Sequence, residues 1–334
     1  MNDFENVRLE KSLYAAGNFN DSLSALDPDE KYRDTFLDGL DAFQRQLKRF
    51  GIKVGGSESD CVEKFFSTAQ SAVLFPEYVS RAVRQGMEQA DILPDITAVV
   101  TKISGVDYRS LRSITSGDGK ELKTVGEGAF IPETAIRTKE NLVTLHKRGR
   151  TLVASYEAIK YQRLDLFTAS LRQIGAYISN TLLRDAVDVL INGDGNSNPA
   201  PVIHTAQAGT LTYADLVNFW NSFDPCEMNT IIASPDMMAK ILNMAEFRDA
   251  AAGLTFHGTG KVITPFGAKL IRSASVPAGK IVGFDSRSAL EMVKSGEMMT
   301  EYDKLIDRQL ERAVISCTAG FAKIYDESAK VLTV

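Results

Sequence analysis

Near the start of the chain, Tyr32, Phe36, Leu40, Phe43, Leu47 and Phe50 recur at spacings of four or three, with charged residues between them. That is the period of a helix with one narrow packing face. Asp27 and Pro28 supply an N-cap and a first-turn proline, Glu30 a capping-box partner and Gly51 a terminator. The pattern therefore predicts one helix from Asp27 to Phe50. Its stripe has two possible seats, the chain's own body or a coiled-coil contact with a second copy. Gly55, Gly56, Ser57, Glu58, Ser59 and Asp60 predict a flexible joint after it. Behind that joint, the stripe is expected to serve assembly and not the folding of residues 73–334.

From Val73 the apolar run Val73, Leu74, Phe75, Tyr78, Val79 leads into a helix to about Gln89, which Asp91, Ile92, Leu93 and Pro94 break. An apolar strand follows near Ile96 to Ile103. Between about Thr115 and Arg150 the core pattern fails. Gly117, Gly119, Gly126 and Gly128 are mixed with Lys120, Lys123, Arg137, Lys139, Lys147, Arg148 and Arg150. Loops longer than roughly 12 to 15 residues with no core of their own are usually functional, so this stretch predicts a long two-stranded hairpin reaching away from the body.

Phe167, Leu171, Ile174, Ile178, Leu182, Ala186 and Val189 keep a three-or-four spacing that predicts a helix from about Asp165 to Ile191. At 1.5 Å per residue it spans roughly 40 Å. Gly193, Asp194, Gly195, Asn196, Ser197, Asn198 and Pro199 end it in a dense turn. Beyond lies a mixed α/β pattern: a helix opened by Thr212 with Asp215, a strand over 229–233, and a helix capped by Ser234 with Pro235 at its first position. Strands are predicted over 268–272 and 280–284, then a C-terminal pair, Arg312 to Cys317 and Ala322 to Tyr325, separated by Thr318, Ala319 and Gly320. No internal repeat appears.

The 334 residues, 44% hydrophobic and 24% charged, match a soluble globular chain of two or three units. No apolar stretch is long enough for a membrane span, and the N-terminus lacks the basic start and apolar run of a signal peptide. A cytoplasmic site of synthesis is expected. The net charge of −5 supplies no basic footprint for sequence-specific nucleic-acid binding, although enclosing nucleic acid requires none. Cys61, Cys226 and Cys317 are odd in number and far apart, which argues against a disulfide framework or zinc site. His146 falls in a basic strand and His204 and His257 in predicted loops, none with a catalytic partner by spacing. Gly258 to Lys261 fails the phosphate-loop pattern, and the Asp194 loop lacks the closing glutamate of an EF-hand. No enzymatic chemistry and no cofactor are expected. A hydrolase or nucleotide-binding enzyme built on the α/β unit is the disfavoured alternative.

Val125, Gly126, Glu127, Gly128, Ala129, Phe130, Ile131, Pro132 and Glu133 resemble the glycine-glutamate-glycine segment of tailed-phage major capsid proteins. Leu142 to Lys147 resembles the returning strand of that family's extended loop, and Val153 to Ile159 a further stretch. Leu190, Ile191, Asn192, Gly193, Asp194 and Gly195 are similar to the end of its long helix. Gly279 to Asp285, with Arg287, Ala289 and Leu290, resembles a signature near its C-terminus. The likeness covers about residues 73–334.

The resemblance implies an α+β chain of the Hong Kong 97 type capsid fold. Its parts would be an N-terminal helical arm or scaffold-like segment (1–60), an N-arm and start of the peripheral domain (61–114), and an extended loop (115–150). A peripheral domain on the spine helix (151–209), an axial domain (210–278) and returning strands (279–334) would follow. It also implies a major capsid subunit that assembles into pentamers and hexamers of an icosahedral shell around double-stranded DNA. The same-fold alternative is an encapsulin-type nanocompartment shell. Partners would be further copies, portal, scaffolding or protease proteins, and DNA contacted non-specifically; no membrane is implied. The location would be the virion, after assembly in the host cytoplasm. Candidate interface residues are Lys120, Lys123, Glu127, Phe130, Arg137 and Lys139 on the extended loop, and Phe36, Leu40, Phe43 and Leu47 on the arm helix. Some relatives crosslink a loop lysine to a neighbour's asparagine; Lys120 and Lys123 are lysines of this loop, the asparagine has no match, and both are read as surface residues.

Overall fold

The computed structural model describes residues 7–14, 19–114, 124–130, 135–224, 226–248, 264 and 266–334. Its helices are α1 (Phe19–Leu26), α2 (Ala42–Arg49), α3 (Ala69–Ala72), α4 (Phe75–Gln89), α5 (Leu93–Ile96), α6 (Tyr156–Tyr161), α7 (Leu164–Asn192), α8 (Tyr213–Asn221), α9 (Pro235–Leu242) and α10 (Ala245–Arg248). The first strands are β1 (Val99–Ile103), β2 (Leu111–Ile114), β3 (Ala135–Thr138), β4 (His146–Ser155), β5 (Val202–His204) and β6 (Thr230–Ala233). The remainder are β7 (Lys269–Arg272), β8 (Lys280–Phe284), β9 (Leu290–Ser295), β10 (Met299–Leu305), β11 (Leu310–Lys323) and β12 (Ala329–Thr333). The chain folds as two compact units, each assembled from three segments. Unit 1 is Met1–Asp91, Arg148–Ser179 and Met298–Cys317; unit 2 is Ile92–Lys147, Asn180–Glu297 and Thr318–Val334.

In unit 1 the single helix expected from Asp27 to Phe50 is broken. A short 3₁₀ turn at Asp29–Tyr32 is followed by Asp34 at φ 62° and Gly39 at φ 75°, conformations no α-helix holds. Helix formation restarts at α2, where the Asp41 carboxylate accepts from the Gln44 N–H and the Gln44 side chain accepts from the Asp41 N–H. Gly51 ends it, as expected, at φ 62°.

The arm packs on its own unit. Phe43 and Leu47 are buried, and α2 lies against α1. The fully buried Arg45 pairs with Asp27 at 3.1 Å and with Asp29 at 2.8 Å. Arg81 of α4 pairs with Glu77 and Asp41 and stacks its guanidinium over the Phe43 ring. The expected joint near residue 60 is tied as well: Val62 N–H donates to Gln162 O at 2.9 Å and Leu164 N–H to Asp60 O at 2.8 Å. The proposed boundary at residue 60 thus falls inside unit 1, because the stripe finds its apolar partner there.

Within the same unit, α4 packs on the first part of α7, with Tyr78 donating to Leu164 O at 2.9 Å. β10 runs antiparallel to the first half of β11, from Met299 opposite Ser316 to Leu305 opposite Leu310. The long helix predicted over 165–191 is α7, Leu164–Asn192, which spans about 43 Å at 1.5 Å per residue.

Unit 2 holds a mixed sheet in the order β5-β12-β8-β6-β7, in which β6 is parallel to β7 and antiparallel to β8. β6 is buried at every position. Phe219 of α8 and Met237 and Ile241 of α9 pack on Ile231 and Ile281 of this sheet. α8 opens with the expected capping box of Thr212 and Asp215. A second sheet portion joins β1 in parallel to β9, and β9 antiparallel to residues 319–323 of β11.

The two expected C-terminal strands are one strand, β11, which continues through Thr318, Ala319 and Gly320. Gly320 makes no turn here. A Cβ on it would strike Thr144 O, so glycine serves close approach of a neighbouring segment. His204, expected in a loop, closes strand β5.

Candidate assembly surfaces

The hairpin predicted over 115–150 begins earlier and returns sooner. β2 and β3 pair antiparallel, with Leu111 opposite Thr138 and Ile114 opposite Ala135. Two strands of four residues bury too little to stand alone in water. Their surroundings are exposed: Leu111 is solvent-facing, as are Glu127 and Arg137, and Phe130 is 99% exposed. A phenylalanine with no cover on its own chain is a residue whose burial needs another molecule. Lys120 and Lys123 lie outside the described residues.

Lys139 departs from expectation. Expected on the extended loop as a subunit-interface residue, it is 3% exposed within its own chain. Its Nζ lies 2.7 Å from Asp194 Oδ2, with the two side chains 2% and 1% exposed, and it also donates to Lys323 O. The reason is the turn after α7. Gly193 adopts φ 88°, and a Cβ there would stand 2.7 Å from Asn198 Oδ1, so only glycine lets the chain fold back tightly. Asp194 is thereby turned inward, where its N–H donates to Asn198 Oδ1 at 3.1 Å and Lys323 N–H donates to its carboxylate at 3.0 Å. Burial pushes the Asp194 carboxyl up, but Lys139, Asn196 and the Lys323 N–H together hold it below its ordinary value.

Lys323 is also fully buried, and its Nζ donates to Asn198 O at 3.0 Å. Burial pushes this ammonium down to about 8, with Asp326 and Asp194 opposing and Lys139 reinforcing the fall. The segment 142–147, which resembles the family's returning strand, is tied inward at Val143, which is buried and whose N–H donates to Tyr108 O at 2.8 Å. The outgoing side carries a second buried carboxylate. Glu291 of β9, 6% exposed, accepts from Thr101 Oγ1 at 2.6 Å, Tyr108 OH at 2.7 Å and Ser110 Oγ at 2.5 Å. Neither Asp194 nor Glu291 stood out in the sequence as a hairpin residue. The dense glycine-asparagine turn at 193–198 was the available signal for the first.

The arm residues separate likewise. Phe43 and Leu47 are spent on the core of unit 1, Leu40 is half-buried in the turn before α2, and Phe36 is 76% exposed. His146 and His204 are exposed, and His257 with the Gly258 to Lys261 stretch lies outside the described residues. Among the described residues, Cys61, Cys226 and Cys317 form no disulfide.

A sequence search of curated proteins returns no match. Solved structures do match in fold. The capsid of a native GTA particle aligns with a TM-score of 0.54 at 14% identity, covering 72% of this chain and 89% of that one. The capsid of Cyanophage P-SCSP1u aligns at 0.51 and 15% identity, covering 73% and 88%. A virus-like particle from Pyrococcus furiosus aligns at 0.50 and 12% identity, covering 77% and 98%. The family model described as phage capsid protein matches residues 138–320, from the end of β3 to within β11 and more than half of the chain. With its exposed hairpin, long helix and mixed sheet, the chain belongs to the phage capsid protein family and has the Hong Kong 97 type capsid fold.

Proposed function

We propose that this phage capsid subunit is the major one of a tailed phage or prophage, and that its copies form pentamers and hexamers of an icosahedral shell around double-stranded DNA. The family match carries the reading, and its description supports a phage shell over an encapsulin-type compartment. Assembly uses the hairpin β2–β3 laid over the next subunit, with Glu127, Phe130 and Arg137 in the contact. Lys120 and Lys123 belong to the same loop. Phe36 is the arm residue left for a neighbour, since Phe43 and Leu47 are already buried. The units built around α7 and around the β5-β12-β8-β6-β7 sheet would serve as the peripheral and axial parts.

Portal, scaffolding or protease proteins are the expected assembly partners, in the host cytoplasm, and the virion is the final location. A net charge of −5 suits a shell whose lining must not bind phosphates so tightly that packed DNA loses mobility. The work is structural, with no catalytic step. Negative-stain microscopy of the purified full chain, alone and co-expressed with phage assembly proteins, tests the proposal. Rings of five and six or closed shells are expected; a chain that stays monomeric at high concentration in both preparations overturns it.

A further inference from the structure

Two four-residue strands are too short to set a direction by themselves, and the hairpin's described side chains, Leu111, Glu127, Phe130, Arg137 and Thr138 among them, are exposed. The hairpin leaves the body instead from a foot with polar ties on both strands, all within unit 2. Lys139 N–H donates to Ser110 O at 2.9 Å, Arg109 donates to Glu140 O at 2.6 Å and Val143 N–H donates to Tyr108 O, so the two chains leaving and re-entering the body are bonded to each other. Each then ends on its own buried carboxylate. The outgoing side places Tyr108 and Ser110 on Glu291, and Thr101 of β1 donates to the same group. On the returning side Lys139 reaches Asp194. Two residues on, Asn141 donates from its N–H to Asn196 Oδ1 at 3.0 Å and from its side chain to Gly195 O at 2.7 Å.

Packing alone does not ask for this. A buried ion pair adds little net stability over an apolar pair of the same size, because desolvation consumes most of the Coulomb gain. Its geometry, however, is strict: a displaced foot leaves charged or hydroxyl groups buried and unpaired, which is expensive. Such groups select one position steeply while contributing little to overall stability.

We infer that Asp194 and Glu291 form a two-carboxylate clamp on the foot of the hairpin, as positioning residues that hold its departure from unit 2 in one direction. The clamp deepens the proposed function, since a hairpin laid over a neighbour must leave its own subunit at a set angle. It stands or falls separately, because it is a property of the unassembled chain.

The test is amide hydrogen exchange on the unassembled full chain, comparing peptides that span 138–145 with peptides from β8 and β12. For Asp194→Asn and for Glu291→Gln, the 138–145 peptides should exchange at least tenfold faster while β8 and β12 keep their protection. Lys139→Met, which removes the cation and leaves Asp194 its bonds from Lys323 N–H and Asn196, should do the same if Asp194→Asn does not fold. Unchanged exchange at the foot overturns the clamp. Equal loss of protection across β8 and β12 in all three variants also overturns it, since the groups would then be ordinary core. Microscopy of the same variants reads the assembly proposal: a loosened foot with normal shells leaves the clamp standing and removes the hairpin's role in assembly.

Discussion

Gly175 of α7 sits directly on the backbone of α4 at Gly86. A Cβ built on Gly175 would stand 3.0 Å from the Gly86 carbonyl carbon and 2.7 Å from Met87 N, and would strike Val83 O; one built on Gly86 would strike Arg172 O. The two helices cross backbone to backbone, closer than side chains permit. Gly86→Ala and Gly175→Ala should each destabilise the subunit by roughly 1–3 kcal/mol through overpacking, despite alanine's better helix propensity. The double variant should lose less than the sum, because the first substitution already separates the helices. Denaturant midpoints of the three unassembled variants check this; a gain in stability from either single change would refute the crossing.

Lys323 makes stability depend on pH in a definite window. Its ammonium titrates at about 8 in the folded chain, against an ordinary 10.5. Between those values the unfolded chain holds a proton that the folded chain has released, so stability rises with pH there and the penalty is complete below pH 8. From pH 8 to 9.5 the native protein should gain on the order of 2 kcal/mol relative to Lys323→Met. The neutral amine still donates to Asn198 O, so the bond survives. Parallel denaturation curves at pH 8 and 9.5 decide it, and identical pH slopes for the two proteins would remove the buried lysine from the account.

The arm should behave as core and not as a detached tail. Phe43→Lys or Leu47→Glu buries a charge where an apolar side chain now packs, and should lower stability by roughly 2–5 kcal/mol. Phe36→Glu, at an exposed position, should stay within about 0.5 kcal/mol of the native chain. Melting of the unassembled protein distinguishes them; equal melting points for all three would return the arm to a passive role.

Phe130 provides the complementary case. With 99% exposure it contributes nothing to its own subunit's core, so Phe130→Ser should leave the melting temperature unchanged. Shell yield should fall, as counted by microscopy on the same sample. Full yield with a normal shell diameter would exclude this side chain from the subunit contact.

Much of the fold is periodic and therefore local. α7 keeps its apolar spacing from Phe167 to Val189, and its predicted ends missed by one residue because the Gly193 turn is written in the residues that make it. The capping boxes at Asp41 and Thr212 differ in legibility for the same reason. Thr212 opens a helix where the apolar period begins, whereas Asp41 interrupts one, and the stripe from Tyr32 to Phe50 is indifferent to the interruption. The sequence pattern divides β11 at Thr318, Ala319 and Gly320, since a glycine needed for a neighbour's close approach looks, in sequence, the same as one needed for a turn.

The sequence by itself determined that this is an α+β chain with a long helix, a hairpin poor in core residues and the motifs of a capsid subunit, because period, turn composition and motif order act over neighbouring residues. Only the tertiary structure decided which charges are buried. Lys139 stands in a basic, glycine-containing stretch that reads as solvated surface, and its partner Asp194 lies 55 residues away, with Lys323 a further 129 beyond. A buried charge is tolerable only where the fold brings opposite charge and donors to it, and no local pattern encodes that meeting.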